Sequence, residues 1–212
     1  MTKSCPRCWA HLQSPLFCES CEEILEPENA VSPYDVLGFE HGYALDRMTL
    51  RKRLLHLSRH LHPDVHGTAD PALRERAQRN TAELNAAFEI LDDDFHRADW
   101  LVKSLGGPGE VQERQMPPEF LAEVMEWNEA VEEAGDAAPG APERARLDDL
   151  EQTLLGEREE LMAVVAAALT PLPEMRSPKL TEVRRKLNAV RYLDRTLHTI
   201  SELRLSQAAS RP

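Results

Sequence analysis

The sequence predicts an all-α fold that follows one small metal-binding segment. Aromatic residues make up 5% of the 212 residues and charged residues 29%, a composition that favours helices packed through Leu, Val and Ala. Apolar residues recur at spacings of three and four along several long segments, which is the period of an amphipathic helix. All four cysteines lie within the first 21 residues, a stretch too short to fold on a hydrophobic core alone.

The first element, residues 1–28, is predicted to be a four-cysteine zinc ribbon. Its cysteines form two CxxC pairs separated by nine residues, namely Cys5, Cys8, Cys18 and Cys21. Each pair can bind a metal through one tight turn, and two such turns complete a tetrahedral four-thiolate site that suits Zn(II). Because folding of the segment then depends on the metal, we expect a structural zinc, with Trp9 and Phe17 packing the ribbon. Two alternatives stay open, a single iron held by the same thiolates and a redox CxxC pair.

Residues 32–105 are predicted to form a helical domain that ends at the Gly/Pro cluster of residues 106–109. Its second helix begins after Asp46, a suitable N-cap residue. A core stripe is predicted from leucines at helical spacing, which are Leu50, Leu54, Leu57 and Leu61. The other side is predicted to be an exposed basic stripe of Arg51, Lys52, Arg53, His56, Arg59 and His60. A third helix follows the loop at residues 67–71, with apolar positions at Leu73, Ala77, Leu84, Phe88 and Leu91.

The tripeptide His62-Pro63-Asp64 lies where the basic helix ends. From the residues alone it has two readings. One is an ordinary helix C-terminus, where the helix dipole favours His and where Asp is a common turn residue. The other is a metal-dependent hydrolase whose ligands would be His60, His62, Asp64 and His66, although His60 belongs to the predicted helix.

A family resemblance adds a third reading of this tripeptide. Residues 32–105 resemble a J domain in their order of features: the opening segment at 32–38, the basic helix, the His-Pro-Asp loop and the segment at 85–91. The resemblance implies a non-enzymatic co-chaperone that docks on a DnaK/HscA-type ATPase chaperone and stimulates its ATP hydrolysis. The implied chaperone-binding residues are His62, Pro63, Asp64, Arg51, Lys52, Arg53 and Arg59. A charged stripe of this kind supplies orientation and association rate.

Residues 110–212 are predicted to form a three-helix bundle from Pro117 onward, interrupted at residues 135–142 and at three prolines between 171 and 178. The last helix has one continuous apolar stripe, which consists of Leu180, Val183, Leu187, Val190, Leu193, Leu197 and Ile200. At about 100° per residue, Tyr192 lies roughly 150° from the centre of this stripe. We therefore expect its ring to point outward.

The segment from Pro117 to Asp136 combines an apolar side with an acidic one. It contains seven acidic residues and no Lys or Arg, so it should repel nucleic acid and attract a basic surface. Its predicted core positions are Phe120, Val124, Trp127 and Val131. Leu121 and Met125 lie beside that core stripe, next to Glu126, Glu129 and Glu133. Either a solvated acidic face or a partner-binding surface fits this pattern.

The region beyond the J domain resembles the HscB family of iron-sulfur co-chaperones, through residues 97–102 and 183–195. The resemblance implies delivery of the iron-sulfur cluster scaffold protein to the chaperone. It places the scaffold-binding residues at Leu121, Met125, Glu126, Glu129, Glu133 and Tyr192. Ala122 departs from the family, which has a larger apolar residue there. A J-domain protein that serves a different client is the alternative.

Charge and hydropathy limit the other partners. The formal net charge of −12 makes nucleic acid an unsuitable main partner. The longest apolar run, Leu161 to Leu169, has nine residues, whereas a membrane span needs about 20. The N-terminus has no signal-peptide or transit-peptide pattern, so we expect no membrane partner and a cytoplasmic location.

Overall fold

The computed structural model describes residues 4–27, 30–66, 70–113, 115–138 and 140–209. Within these residues the chain forms seven α-helices, and its extended pairings are isolated bridges near the N-terminus. The helices are α1 (Pro33–Leu37), α2 (Arg47–Leu61), α3 (Pro71–Asp92), α4 (Asp94–Ser104), α5 (Pro118–Asp136), α6 (Pro142–Ala168) and α7 (Lys179–Ala209). This confirms the all-α fold with four clustered cysteines at its N-terminal end.

The chain divides into two compact units, Met1–Trp100 and Leu101–Pro212. The cysteine segment belongs to the same unit as α1, α2 and α3. The boundaries predicted at residues 28, 105 and 110 remain predictions. No helix in the described ranges is long and apolar enough to cross a bilayer.

In the first unit, α2 and α3 pack against each other and against the short helix α1. Asp46 caps α2 as predicted, because its carboxylate accepts the N–H groups of Met48 and Thr49 at 3.1 and 3.2 Å. The predicted leucine stripe of α2 is buried except for Leu54, which is half-buried. On α3 the buried positions are Ala77, Asn80, Leu84, Ala87 and Leu91.

Helix α1 ends at a position that requires glycine. Ser32 caps its start by accepting the N–H of Asp35 at 3.0 Å, and Gly38 ends it in the left-handed conformation with φ of 74°. A Cβ at Gly38 would lie 2.7 Å from the carbonyl oxygen of Gln13 in the cysteine segment. The glycine therefore serves both the turn and the close approach of the ribbon.

The cysteine segment is held to α3 by a buried amide. The side-chain Nδ2 of Asn80 donates to the carbonyl oxygens of Leu16 and Leu25 at 3.0 and 2.8 Å. Asn80 is 5% exposed, and both leucines are also buried. The ribbon thus shares its inner surface with the helical part of the unit, since its carbonyl groups are paired by a helix side chain.

The second unit is the predicted three-helix bundle of α5, α6 and α7. Its core contains Trp127, Val131, Ala134, Leu147, Leu154, Leu193 and Ile200. The stripe predicted on α7 is confirmed, with Leu197 only partly buried. Phe120 and Val124, predicted core residues of α5, pack against this cluster while remaining partly exposed.

Candidate functional site

The four cysteines form a site that fits one tetrahedral metal ion. The Sγ atoms all lie within 4.8 Å of one another, and the Cys5–Cys21 and Cys8–Cys18 pairs are 3.7 and 3.6 Å apart. A tetrahedron with metal–sulfur bonds of about 2.3 Å has sulfur–sulfur edges of about 3.8 Å. The thiolates would bind the metal, and such a site without an open position supports folding rather than catalysis.

The thiols of the site differ in acidity. Burial raises the pKa of the Cys5 thiol. Hydrogen bonds from the backbone N–H groups of Cys8 and Arg7 lower it by more than burial raises it, so the pKa falls to about 7. Burial raises the pKa of Cys21 to about 12, although the backbone N–H of Glu23 acts in the other direction. Binding a metal therefore has to displace protons from the site, because metal ligands are thiolates.

The two aromatic residues predicted to pack the ribbon behave differently. Phe17 is 3% exposed and stacks on the ring of His60 in α2, with 4.6 Å between ring centroids. The prediction for Trp9 is wrong, since this side chain is 79% exposed. Trp9 follows the ligand Cys8 with φ of 62°, and its side chain stays in solvent rather than in the small core of the ribbon.

The His-Pro-Asp loop follows the end of α2, and its histidine and aspartate are exposed. The backbone N–H of His62 donates to the Ser58 carbonyl at 3.0 Å and caps the helix, and Pro63–His66 form a 3₁₀ turn. The side chains of His62 and Asp64 are 54% and 90% exposed, and Nδ1 of His62 accepts the backbone N–H of Asp64 at 3.3 Å. The loop is thus presented to solvent with its histidine oriented by a local hydrogen bond.

The basic stripe on α2 is divided by the ribbon. Arg51, Lys52 and Arg59 are exposed. The predicted exposure of Arg53 is wrong, because its side chain is 16% exposed and its Nη1 donates to Glu19 of the ribbon at 2.6 Å. The other two members of the stripe also contact the ribbon: His56 lies 3.3 Å from Glu19, and His60 is the residue that stacks on Phe17.

The hydrolase reading required four ligands on one side of the loop. His60 instead packs against Phe17, and the side chain of His66 lies outside the described residues. Among the described side chains, the group arranged to hold a metal is that of the four cysteines. The geometry therefore favours a metal in the ribbon.

The acidic face of α5 carries exposed apolar side chains as predicted. Leu121 and Met125 are 41% and 63% exposed, and the three glutamates beside them, Glu126, Glu129 and Glu133, are exposed as well. Tyr192 differs from its prediction, because it is half-buried and its ring makes a T-shaped contact with the ring of Phe120, with 5.7 Å between the ring centroids. The first turn of α5 therefore covers part of this tyrosine.

Two residues that organise the first unit were not predicted. Asn80 is a polar residue at a buried position of the α3 stripe, between Ala77 and Leu84, so its place in the pattern was a usable signal. Glu19 lies inside the second CxxC pair, and nothing in its local sequence indicates a contact with α2. Its partner Arg53 is 34 residues away in sequence, and such pairings are not readable from periodicity.

Comparison with known proteins assigns the family. A family model described as the HSCB C-terminal oligomerisation domain matches residues 116–201. The co-chaperone protein HscB homolog of Bordetella petrii is 31% identical over 139 residues, an alignment that spans 61% of this chain and 82% of that protein. The chain belongs to the HscB family. The iron-sulfur cluster co-chaperone protein HscB homolog of Arabidopsis thaliana is 30% identical over 122 residues, and the chain spans about half of its length, 48%.

Solved HscB structures share the fold of the chain. Human co-chaperone protein HscB aligns over 96% of this chain and 100% of its own, with a TM-score of 0.77 and 20% identity. Chaperone HscB from Vibrio cholerae covers 84% of this chain and 99% of its own, with a TM-score of 0.70 and 20% identity. At this identity the likeness concerns the fold, while membership of the HscB family rests on the sequence relatives.

Proposed function

We propose that this HscB-family chain is a non-enzymatic co-chaperone with two binding arms. Its first unit stimulates ATP hydrolysis by a DnaK/HscA-type chaperone, and its second unit delivers the iron-sulfur cluster scaffold protein to that chaperone for cluster assembly and transfer. The observation that carries the proposal is the exposed His-Pro-Asp loop at the end of a cationic helix. The names of the relatives as HscB co-chaperones support it.

The chaperone arm is the loop together with the exposed edge of α2. His62, Pro63 and Asp64 would contact the chaperone, and Arg51, Lys52 and Arg59 would steer it by charge. A short loop that binds one state of the chaperone better than another shifts that equilibrium, which is how binding without chemistry accelerates the partner's hydrolysis. Arg53 is enclosed and joins α2 to the ribbon through Glu19, so its role is structural rather than in steering the chaperone.

The decisive experiment is chaperone ATPase stimulation by His62→Gln. We expect stimulation to be lost while the circular dichroism spectrum and scaffold affinity stay unchanged, because His62 is more than half exposed and forms one local side-chain hydrogen bond. His198→Gln is the matched control, since His198 is 72% exposed on α7. Normal stimulation by the His62 variant would reject the proposed chaperone arm.

The scaffold arm is the shoulder of α5 with the ring of Tyr192. Exposed apolar side chains bordered by carboxylates form the kind of surface on which a few anchors supply most of the binding energy. Leu121→Ala, Met125→Ala and Tyr192→Ala should each weaken scaffold binding about tenfold or more, which corresponds to about 1.4 kcal/mol for a central anchor. Isothermal titration measures this directly.

Leu155→Ala is the control for the scaffold arm, because Leu155 is a 44% exposed leucine on α6. Tyr192→Ala removes a ring that packs on Phe120. The melting temperature of this variant is therefore measured together with its scaffold affinity, to separate lost binding from lost stability. Equal scaffold affinity for wild-type protein and the Leu121 and Met125 variants would show that the bundle serves a different client.

The four-cysteine site is proposed to hold a structural Zn(II). The sulfur geometry and the absence of an open ligand position in a four-thiolate set support this assignment. Elemental analysis should find one zinc per chain, which is lost in Cys18→Ser. Stoichiometric iron in protein purified from cells would contradict zinc.

A further inference from the structure

Glu19 joins the ribbon to the cationic helix. It lies between the metal-ligating positions Cys18 and Cys21, and its carboxylate contacts Nη1 of Arg53 at 2.6 Å and Nε2 of His56 at 3.3 Å. Arg53 also donates from Nε to the Leu37 carbonyl at 3.2 Å. The carboxylate is therefore fixed at one edge of α2 by groups on the helix.

Glu19 places a carboxylate against the cationic side of α2. Its ion pair with the guanidinium of Arg53, at 2.6 Å, is a charge-assisted contact that sets a negative group beside one arginine of the stripe. Glu19 is 37% exposed, which keeps it within reach of solvent and of a protein that docks on α2. An ionised carboxylate within a cationic surface weakens the attraction of that surface for an acidic partner.

The basic residues of α2 fall on two neighbouring edges of the helix. At about 100° per residue, Arg53, His56 and His60 span roughly 60°, and Lys52 and Arg59 lie within about 20° of each other, beginning about 40° beyond His56. The first edge contacts the ribbon through Glu19 and Phe17. Lys52 and Arg59 are exposed.

We propose that Glu19 is a positioning residue that sets the charge of the chaperone-facing helix. It neutralises the charge of Arg53, lowers the affinity of the helix for the chaperone, and restricts docking to the edge that carries Lys52 and Arg59. The inference rests on the proposed chaperone arm. The inference adds Glu19 of the ribbon to that arm. The carboxylate of Glu19 acts through Arg53 and touches no reacting group.

The test compares Glu19→Gln with Glu22→Gln. Glu22 is an exposed acid of the same ribbon, so both substitutions remove one negative charge and keep the side-chain size. ATPase stimulation is titrated with each variant to separate the half-maximal concentration from the maximal rate. Glu19→Gln should lower the half-maximal concentration about three- to tenfold at about 0.05 M salt and leave the maximal rate unchanged.

Salt provides the signature that a purely structural role would not give. At about 1 M salt the Debye length is about 3 Å, and the advantage of Glu19→Gln should disappear. Glu19→Asp, which keeps the carboxylate, should restore wild-type values. At the same salt of about 0.05 M, Glu22→Gln should stay within about twofold of wild type, because the described side-chain contacts between the ribbon and α2 are made by Glu19 and Phe17.

The outcomes are distinct. An unchanged or higher half-maximal concentration for Glu19→Gln, or loss of metal from this variant, overturns the role of Glu19 while wild-type stimulation still supports the chaperone arm. An equal gain for Glu22→Gln shows that only net charge matters and also overturns it. If the wild-type protein fails to stimulate the chaperone, the proposed function fails and the inference fails with it.

Discussion

Substitution of Asn80 by alanine should weaken the packing of the ribbon on α3. Its Nδ2 pairs two buried carbonyl oxygens, those of Leu16 and Leu25. The Leu16 carbonyl also accepts the backbone N–H of Leu25 at 2.9 Å, so Asn80→Ala leaves that oxygen with one partner. For the Leu25 carbonyl, no second partner is found among the described residues.

The magnitude follows from these two bonds. A buried carbonyl left unpaired costs about 1–3 kcal/mol, and loss of a bond from an oxygen that keeps another partner costs about 0.5–1.5 kcal/mol. We therefore expect Asn80→Ala to destabilise the ribbon by about 2–4 kcal/mol. The value is a local free energy of opening, since the ribbon can separate from α3 without unfolding of the whole chain.

Native-state hydrogen exchange measures this free energy at individual amides. Exchange of the Leu25 and Cys18 amides, which are hydrogen-bonded within the ribbon, should accelerate about 30- to 1,000-fold, because each 1.36 kcal/mol is about a factor of ten. Asn85→Ala is the control, as Asn85 is an exposed asparagine on the same helix. Equal exchange rates in the two variants would refute the assignment of Asn80.

Two further substitutions test the rest of the first unit. Gly38→Ala should lower the free energy of unfolding by about 2–4 kcal/mol, because alanine would have to adopt the left-handed conformation and its Cβ would lie 2.7 Å from the carbonyl oxygen of Gln13. Gly42→Ala should be nearly neutral, because a Cβ at Gly42 would have no heavy atom within 4 Å. Thermal unfolding measures both variants. Burial raises the pKa of Asp94, but Arg97 and Arg47 outweigh it, so the pKa is lowered. The stability that Asp94 supplies is present above about pH 4 and lost as pH falls through the folded-state pKa. In urea unfolding, Asp94→Asn should therefore be destabilising at about pH 7, and the difference from wild type should shrink as the pH falls below about 4; a difference that stays constant with pH would contradict this.

Much of the architecture was predictable because it depends on local pattern. The leucines of α2 and the apolar stripe of α7 repeat at the helical period, and the burial of all of them except Leu54 and Leu197, which are partly buried, follows directly. Asp46 was identified as a cap from its place before the first apolar position. The clustering of the four cysteines follows from the chelating geometry of CxxC pairs, which is also local.

The differences arise where a distant segment covers a residue. Arg53 lies on the polar side of α2, but the helix pattern does not reveal that Glu19 and the ribbon pack there. Tyr192 points away from the apolar stripe of α7, and Phe120 of α5 nevertheless covers it. The prediction for Trp9 is wrong for the opposite reason, because the core of the ribbon is small: the apolar residues that pack with its cysteines are Ala10, Leu12 and Leu25.

The bond between Asn80 and the ribbon also bears on how the chain evolves. In a relative without the four-cysteine segment, an asparagine at this point of α3 would lose the carbonyls of Leu16 and Leu25 together with the segment that covers it, so its amide would face water and no contact would require it. We therefore predict that this asparagine is retained in relatives that have the four cysteines and varies among polar residues in relatives that lack them. An alignment in which the asparagine is equally frequent in both groups would contradict this coupling. If the coupling holds, the residue at one position inside a helix indicates whether a ribbon packs against that helix.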